Sequence, residues 1–132
     1  MTKYTCIDSF CGAGGLGLGL KRSGFDILLS FDIDKLCIDT INRNQKYFNH
    51  PAMVADIADM LDGKLLKRCN LNRGELFLLA GGPPCQGFSV QRRGSDIDSR
   101  NELVLMYGKL IDEVYPKYFV MENVSGIAGK RG

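Results

Sequence analysis

The sequence predicts an α/β protein, a parallel sheet with helices on both faces, and three observations predict it. Short apolar runs alternate with amphipathic helical patterns from Tyr4 to Met121, the order that lays helices against a sheet. A glycine-rich turn, Cys11 to Gly15, joins the first apolar run to the first helical one, where open α/β folds accept ligands. The run Leu76-Phe77-Leu78-Leu79-Ala80 contains no polar residue, as suits a strand covered on both faces.

Tyr4 to Phe10 reads as the first strand, and the helix after the turn ends near Ser23-Gly24, with Gly24 suited to the C′ position. Ile27 to Phe31 is the second strand. Asp34 is placed to cap a helix carrying Leu36, Ile38 and Ile41, which Asn42 to Pro51 breaks. Val54-Ala55 reads as a short third strand, Ile57 to Cys69 as a mixed helical stretch, and Leu76 to Ala80 as the fourth strand. The polar, glycine-containing segment Gly81 to Arg100 is too long for a casual connection and is expected to be functional or mobile. Glu102 to Val114 is an amphipathic helix closed by Pro116, and Tyr118 to Met121 is the last strand. Right-handed crossovers then place a cleft outside the carboxyl ends of the strands. Every motif that carries chemistry falls at such an end.

The 132 residues suffice for one domain and show no internal repeat or linker. Seventeen Lys and Arg against fifteen Asp and Glu give a net charge of +2, which excludes a body that holds nucleic acid by bulk charge alone. No apolar run approaches the about 18 to 20 residues of a membrane span, and Met1 to Thr5 lacks the apolar block of a signal peptide. A soluble, cytoplasmic protein with no membrane partner is expected. The five cysteines are odd in number, lack a C-x-x-C pair and have one His among them, so they read as reduced thiols with no metal site.

Four motifs carry chemistry. Phe10 to Gly17 reads either as Gly12-x-Gly14-x-x-Gly17, a dinucleotide fingerprint, or as Phe10-x-Gly12-x-Gly14-Gly15, an S-adenosylmethionine loop. Glycines there also allow tight strand-to-helix packing. Asp32, twenty residues after Gly12, ends the second strand where an acid meets ribose hydroxyls, with Asp34 a competitor better used as a cap. Asp56, after the third strand, is a weaker candidate for an adenine amine. Gly81-Gly82-Pro83-Pro84-Cys85-Gln86-Gly87-Phe88-Ser89 displays a thiol at the cleft between rigid prolines and a glycine. Cys6, Cys37 and Cys69 read instead as small core residues. His50, in a loop beside Pro51, offers Cys85 no base, so a Cys-His protease is unsupported. Glu122-Asn123, at the end of the last strand, can aim a carboxyl at the same cleft, and burial there would raise its pKa toward general-acid use.

Together these residues closely resemble the DNA (cytosine-5) methyltransferase family from Asp8 to Val124. The resemblance implies a Rossmann-like S-adenosyl-L-methionine-dependent methyltransferase fold, C-terminally incomplete, with residues 1–132 a partial catalytic domain and no target-recognition domain. It implies a cofactor pocket formed by Phe10, Gly12, Ala13, Gly14, Gly15, Asp32, Ile33, Asp56, Ile57, Pro83 and Leu103. Its catalytic set is Cys85, Glu122, Pro84 and Asn123. Gln86, Ser89, Arg92, Arg93 and Arg100 fall in the loop that closes over double-stranded DNA, its arginines meeting phosphates. Ser9 departs from the Leu usual before the Phe. The implied reaction adds the Cys85 thiolate to carbon 6 of a flipped-out cytosine, with Glu122 at N3, so that carbon 5 attacks the sulfonium methyl.

The family continues with an arginine-bearing motif, a target-recognition domain and a helix that completes the cofactor pocket. A complementing C-terminal segment or second subunit is therefore expected, in a bacterial, nucleoid-associated restriction-modification setting. Two other readings compete: a catalytically silent cofactor-binding remnant, and an NAD-dependent oxidoreductase. The second leaves Pro83-Pro84-Cys85 and Glu122-Asn123 without a role.

Overall fold

The computed structural model describes residues 4–84 and 102–123. Five parallel strands, β1 (Thr5–Ser9), β2 (Asp26–Asp32), β3 (Ala52–Val54), β4 (Leu78–Gly81) and β5 (Tyr118–Met121), form one sheet in the order β3-β2-β1-β4-β5. The chain steps outward from β1 through β2 to β3, then returns to the other side of β1 for β4 and β5. The carboxyl ends of β1 and β4 therefore flank the point where strand order reverses, the place at which open α/β sheets leave a crevice.

Helices cover both faces. Ile7, Leu29, Phe31 and Leu79 pack against Ile57 and Met60 of a 3-10 turn (Ile57–Met60), Leu65 of α4 (Lys64–Arg68), and Tyr107, Leu110 and Val114 of α5 (Glu102–Val114). On the other face Cys6, Ile27, Leu78 and Ala80 pack with Leu20 of α1 (Gly15–Arg22). Ile38 and Ile41 of α2 (Lys35–Arg43) gather with Cys11 and with Phe48 of α3 (Gln45–Phe48). β4 is buried at every position, as its apolar run requires.

Asp34 caps α2 by accepting from the Leu36 N–H at 2.9 Å, and Gly24 follows α1 at φ 96°. The structure departs from the sequence reading in three places. The stretch read as a helix break holds α3, whose Phe48 is buried and whose end is turned by Asn49 at φ 50°, so β3 begins at Ala52 rather than Val54. The helical stretch after Ile57 splits at Asp62 and Gly63, both with positive φ. β4 pairs with β1 only from Leu78, although Leu76 and Phe77 already accept hydrogen bonds from Lys117 and Tyr118.

Candidate active site

The site begins at the turn after β1, where Phe10, Gly12 and Gly14 all take positive φ. The Cys11 N–H donates to the Phe31 carbonyl at 3.1 Å and the Gly14 N–H to the Cys11 carbonyl at 3.0 Å. Asp32, at the end of β2, ties this turn down: one carboxylate oxygen accepts from the Gly12 N–H and the other from the Asp34 N–H, each at 2.9 Å. Gly14 is the N-cap of α1 and supplies no side-chain cap, so nothing from its own N-cap covers the amides of the first turn.

Beside the turn lies a cavity of about 220 Å³. Phe10, Phe31, Ala55, Ile57 and Leu103 give it apolar walls, Asp32 and Asp56 bring carboxylates, and Ile33, 67% exposed, stands at its edge. Gly82 and Pro84 complete the lining. Asp56 also caps the 3-10 turn, accepting from the Ala58 N–H at 3.0 Å. Of the residues singled out from sequence, Phe10, Asp32, Ile33, Asp56, Ile57, Pro84 and Leu103 meet here.

Gly12, Ala13, Gly14, Gly15 and Pro83 do not line this cavity. Gly14 instead backs onto the core, where an added Cβ would lie 2.5 Å from the Phe48 ring. Gly17, the last glycine of the dinucleotide reading, is buried against Asp8. Packing thus accounts for these two glycines. Phe31 and Ala55 line the cavity without having been singled out, and only their position beside strand ends could have marked them; Gly82 lines it as part of the motif that leads to Cys85.

The ends of β4 and β5 form the second half of the site. Parallel register from Leu78↔Tyr118 to Gly81↔Met121 brings Gly82 level with Glu122. The Glu122 N–H donates to the Gly81 carbonyl at 2.9 Å, and Asn123 Nδ2 donates to the Pro83 carbonyl at 3.1 Å. A Cβ on Gly82 would lie 3.0 Å from Glu122 Oε2, and one on Gly81 would lie 2.5 Å from Ser9 Oγ. Ser9 is fully buried and donates to the Ala80 carbonyl at 2.7 Å, so the residue that departs from the family's Leu is absorbed into the β1–β4 seam. Glu122 is exposed. Cys85, Gln86, Ser89, Arg92, Arg93 and Arg100 lie outside the described residues.

Burial pushes the Cys6 thiol up to about 12 and raises those of Cys11 and Cys69 as well, the reverse of what a nucleophile needs. Cys37 and Cys69 are only half-buried, less enclosed than the core role expected of them. His50 does not lie in a free loop: it is buried, its Nδ1 meets the Phe48 carbonyl at 3.0 Å, and its Nε2 pairs with Ser30 Oγ at 2.7 Å. Since the carbonyl can only accept, Nδ1 carries the proton and Ser30 donates to Nε2. Burial lowers its pKa and keeps it neutral.

Residues 4–132 match the C-5 cytosine-specific DNA methylase family. The chain belongs to that family. Among methylase relatives it is 38% identical over 130 residues to the Type II methyltransferase M.XorII of Xanthomonas oryzae pv. oryzae, covering 96% of this chain and 30% of that protein. It is 37% identical over 123 residues to the Type II methyltransferase M.AquIA of Picosynechococcus, covering 92% of this chain and 48% of the relative. A crystal structure described as a DNA modification methyltransferase encoded within an E. coli prophage superposes with a TM-score of 0.78 at 35% identity, over 97% of this chain and 34% of the other. S. pombe Dnmt2 shares the fold, with a TM-score of 0.70 at 20% identity, over 96% of this chain and 36% of the other. The chain thus spans about a third to a half of the methylases it matches.

Proposed function

We propose that this chain is the cofactor-binding and nucleophile part of a DNA (cytosine-5) methyltransferase of the Type II restriction-modification kind, acting on double-stranded DNA in the bacterial cytoplasm. One observation carries the reading. The carboxyl ends of β1, β2 and β4 bring Phe10, Asp32 and Pro84 to one cavity, and the end of β5 sets Glu122 against Gly82 of its lining. The cavity suits S-adenosyl-L-methionine in the chemistry of its donors: apolar walls for a flat base, carboxylates at Asp32 and Asp56 for hydroxyls and an amine, and the uncapped first turn of α1 for an amino-acid end. Phe10, Ile33, Ile57 and Leu103 would hold the apolar part, while Gly12, Ala13, Gly14 and Gly15, outside the cavity lining, would offer backbone to the amino-acid end and Pro83 would fix the approach to Pro84. Bound there, S-adenosyl-L-methionine supplies an electrophilic methyl group on sulfur.

The chain's own residues prepare the other reactant. The Cys85 thiolate adds to carbon 6 of cytosine while Glu122 protonates or hydrogen-bonds N3, and electron density moves to carbon 5, which becomes the nucleophile. After methylation, loss of the carbon 5 proton expels the thiolate and restores the ring. Pro83 and Pro84 stiffen the lead-in to Cys85, and Asn123 ties it to β5 through the Pro83 carbonyl. The target base must leave the helix stack to reach these groups, and Gln86, Ser89, Arg92, Arg93 and Arg100 are placed in the sequence to meet its DNA. Target recognition falls to a further segment or second subunit.

The test is transfer of labelled methyl from S-adenosyl-L-methionine to DNA by the chain combined with the C-terminal remainder of a relative. Transfer that disappears in Cys85→Ser and falls at least a hundredfold in Glu122→Gln supports the reading. Full activity of Cys85→Ser refutes the covalent mechanism. Methyl transfer absent with every remainder tried, despite cofactor binding, marks a silent remnant instead.

A further inference from the structure

Asp8 lies in the middle of β1, 1% exposed, and neither of its carboxyl oxygens has a hydrogen-bond partner. Buried polar groups are almost always satisfied, and a buried acid without a partner is expensive to keep. Its side chain projects beneath the first turn of α1: a Cβ on Gly17 would stand 2.6 Å from Asp8 Oδ2. Gly17 is therefore glycine because the carboxyl occupies the space a side chain would fill. The same turn carries Gly14 and Gly15 and no side-chain cap.

We propose that Asp8 is a positioning residue, whose carboxyl holds the first turn of α1 and the glycine turn before it in the shape the cofactor meets, so that cofactor binding follows the ionisation of Asp8. The inference rests on the cofactor reading given above. An ionised carboxyl under a helix N-terminus attracts the unbonded amides of that turn, Gly17 first. A ligand carrying sulfonium and ammonium groups above the same turn favours the ionised acid further.

The surroundings make the ionisation responsive near neutrality. Burial pushes the Asp8 carboxyl up to about 7, opposed by the nearby Gly17 backbone N–H, which approaches without completing a hydrogen bond of ordinary geometry, and reinforced by Asp32. Cys6 of β1, Cys11 of the turn and Tyr107 of α5 also feel its charge, and all three are held neutral by burial. Beside it in register stands Ser30 of β2, bonded to neutral His50. Lys21 of α1 is engaged with the Phe48 carbonyl. Ala80, its neighbour on β4, is apolar.

The test follows the Gly17 amide resonance of the chain from pH 5.5 to 8.5, together with S-adenosyl-L-methionine affinity, in wild type and Asp8→Asn. The Gly17 amide is expected to titrate with a midpoint near 7 in wild type and to stay flat in the variant. The dissociation constant is expected to fall about fivefold from pH 6 to pH 8 in wild type, as a one-unit lowering of the Asp8 pKa on binding gives, and to be level in Asp8→Asn. A Gly17 amide that does not titrate, or an equal pH slope of affinity in both proteins, overturns the role of Asp8. A Gly17 titration without S-adenosyl-L-methionine binding at any pH overturns the cofactor reading while leaving Asp8 as the group that sets the turn. Should Asp8→Asn not fold, the carboxyl carbon of Asp8 and the Gly17 amide must share one midpoint in wild type, and different midpoints refute the coupling.

Discussion

Replacing Gly14 by Ala tests whether the glycine turn is set by the core beneath it or by the ligand above it. Gly14 sits at φ 95°, and a Cβ there would lie 2.5 and 2.8 Å from the Phe48 ring and 3.1 Å from Ile41. Neither neighbour can retreat. Ile41 is fully buried, and Phe48 is buried with its ring edge-on to His50 at 5.8 Å. The left-handed conformation costs an L-residue about 1 to 2 kcal/mol and overpacking a further about 1 to 3 kcal/mol. Restricting the unfolded chain returns about 0.4 to 1 kcal/mol, leaving a net loss of about 2 to 4 kcal/mol. That is a large share of the about 5 to 15 kcal/mol of a whole domain, so urea unfolding followed by circular dichroism resolves it. Gly19→Ala is the control: nothing lies within 4 Å of its Cβ, and in mid-helix it should gain about 0.5 to 1 kcal/mol. Adding Phe48→Leu to Gly14→Ala should recover the packing part and leave the backbone part. A loss under about 1 kcal/mol in Gly14→Ala would show that the turn is not packed as described.

Tyr107→Phe removes a hydroxyl whose one proton is shared between the Val120 carbonyl at 2.8 Å and the Leu79 carbonyl at 3.2 Å, and should cost about 1 to 3 kcal/mol in urea unfolding, with faster amide exchange confined to β4 and β5. Asp32→Ala frees the Gly12 and Asp34 amides; calorimetry should show S-adenosyl-L-methionine affinity down at least tenfold, and unchanged affinity would remove Asp32 from the site. Asp8 also predicts a pH effect on stability. Its folded pKa of about 7 lies above the ordinary 3.8, so folding disfavours its ionised form. The penalty is absent below pH 3.8, grows between 3.8 and 7, and reaches at most about 4 kcal/mol above that. Urea midpoints of wild type should therefore fall relative to Asp8→Asn between pH 5 and 8, and parallel curves would contradict the burial of the charge.

α5 and β5 could be read from sequence because one period dominates each. Leu103, Met106, Tyr107, Leu110 and Val114 recur at helical spacing between a polar segment and Pro116, and Tyr118 to Met121 is a short apolar run between that proline and a polar pair. α3 could not, because its four residues end at a left-handed Asn49 and are held by Phe48 packing under Gly14, a contact between elements distant in the chain. The same limit applies to the site. Asp32 and Glu122 were legible as acids ending strands, since the β–α alternation brings strand ends together whatever the packing. Asp8 and His50 were not. A carboxyl inside an apolar strand and a histidine beside a proline carry no local signal of burial; Gly17 closing over the one and Ser30 pairing with the other decide it. The glycine turn thus combines two constraints in one stretch of sequence: Gly14 and Gly17 answer to Phe48 and Asp8 below, while Gly12 answers to Asp32 beside the cavity. A glycine fingerprint alone cannot separate packing from ligand approach, and substitutions at Gly14 and Gly12 should divide the two, the first acting on stability and the second on cofactor affinity.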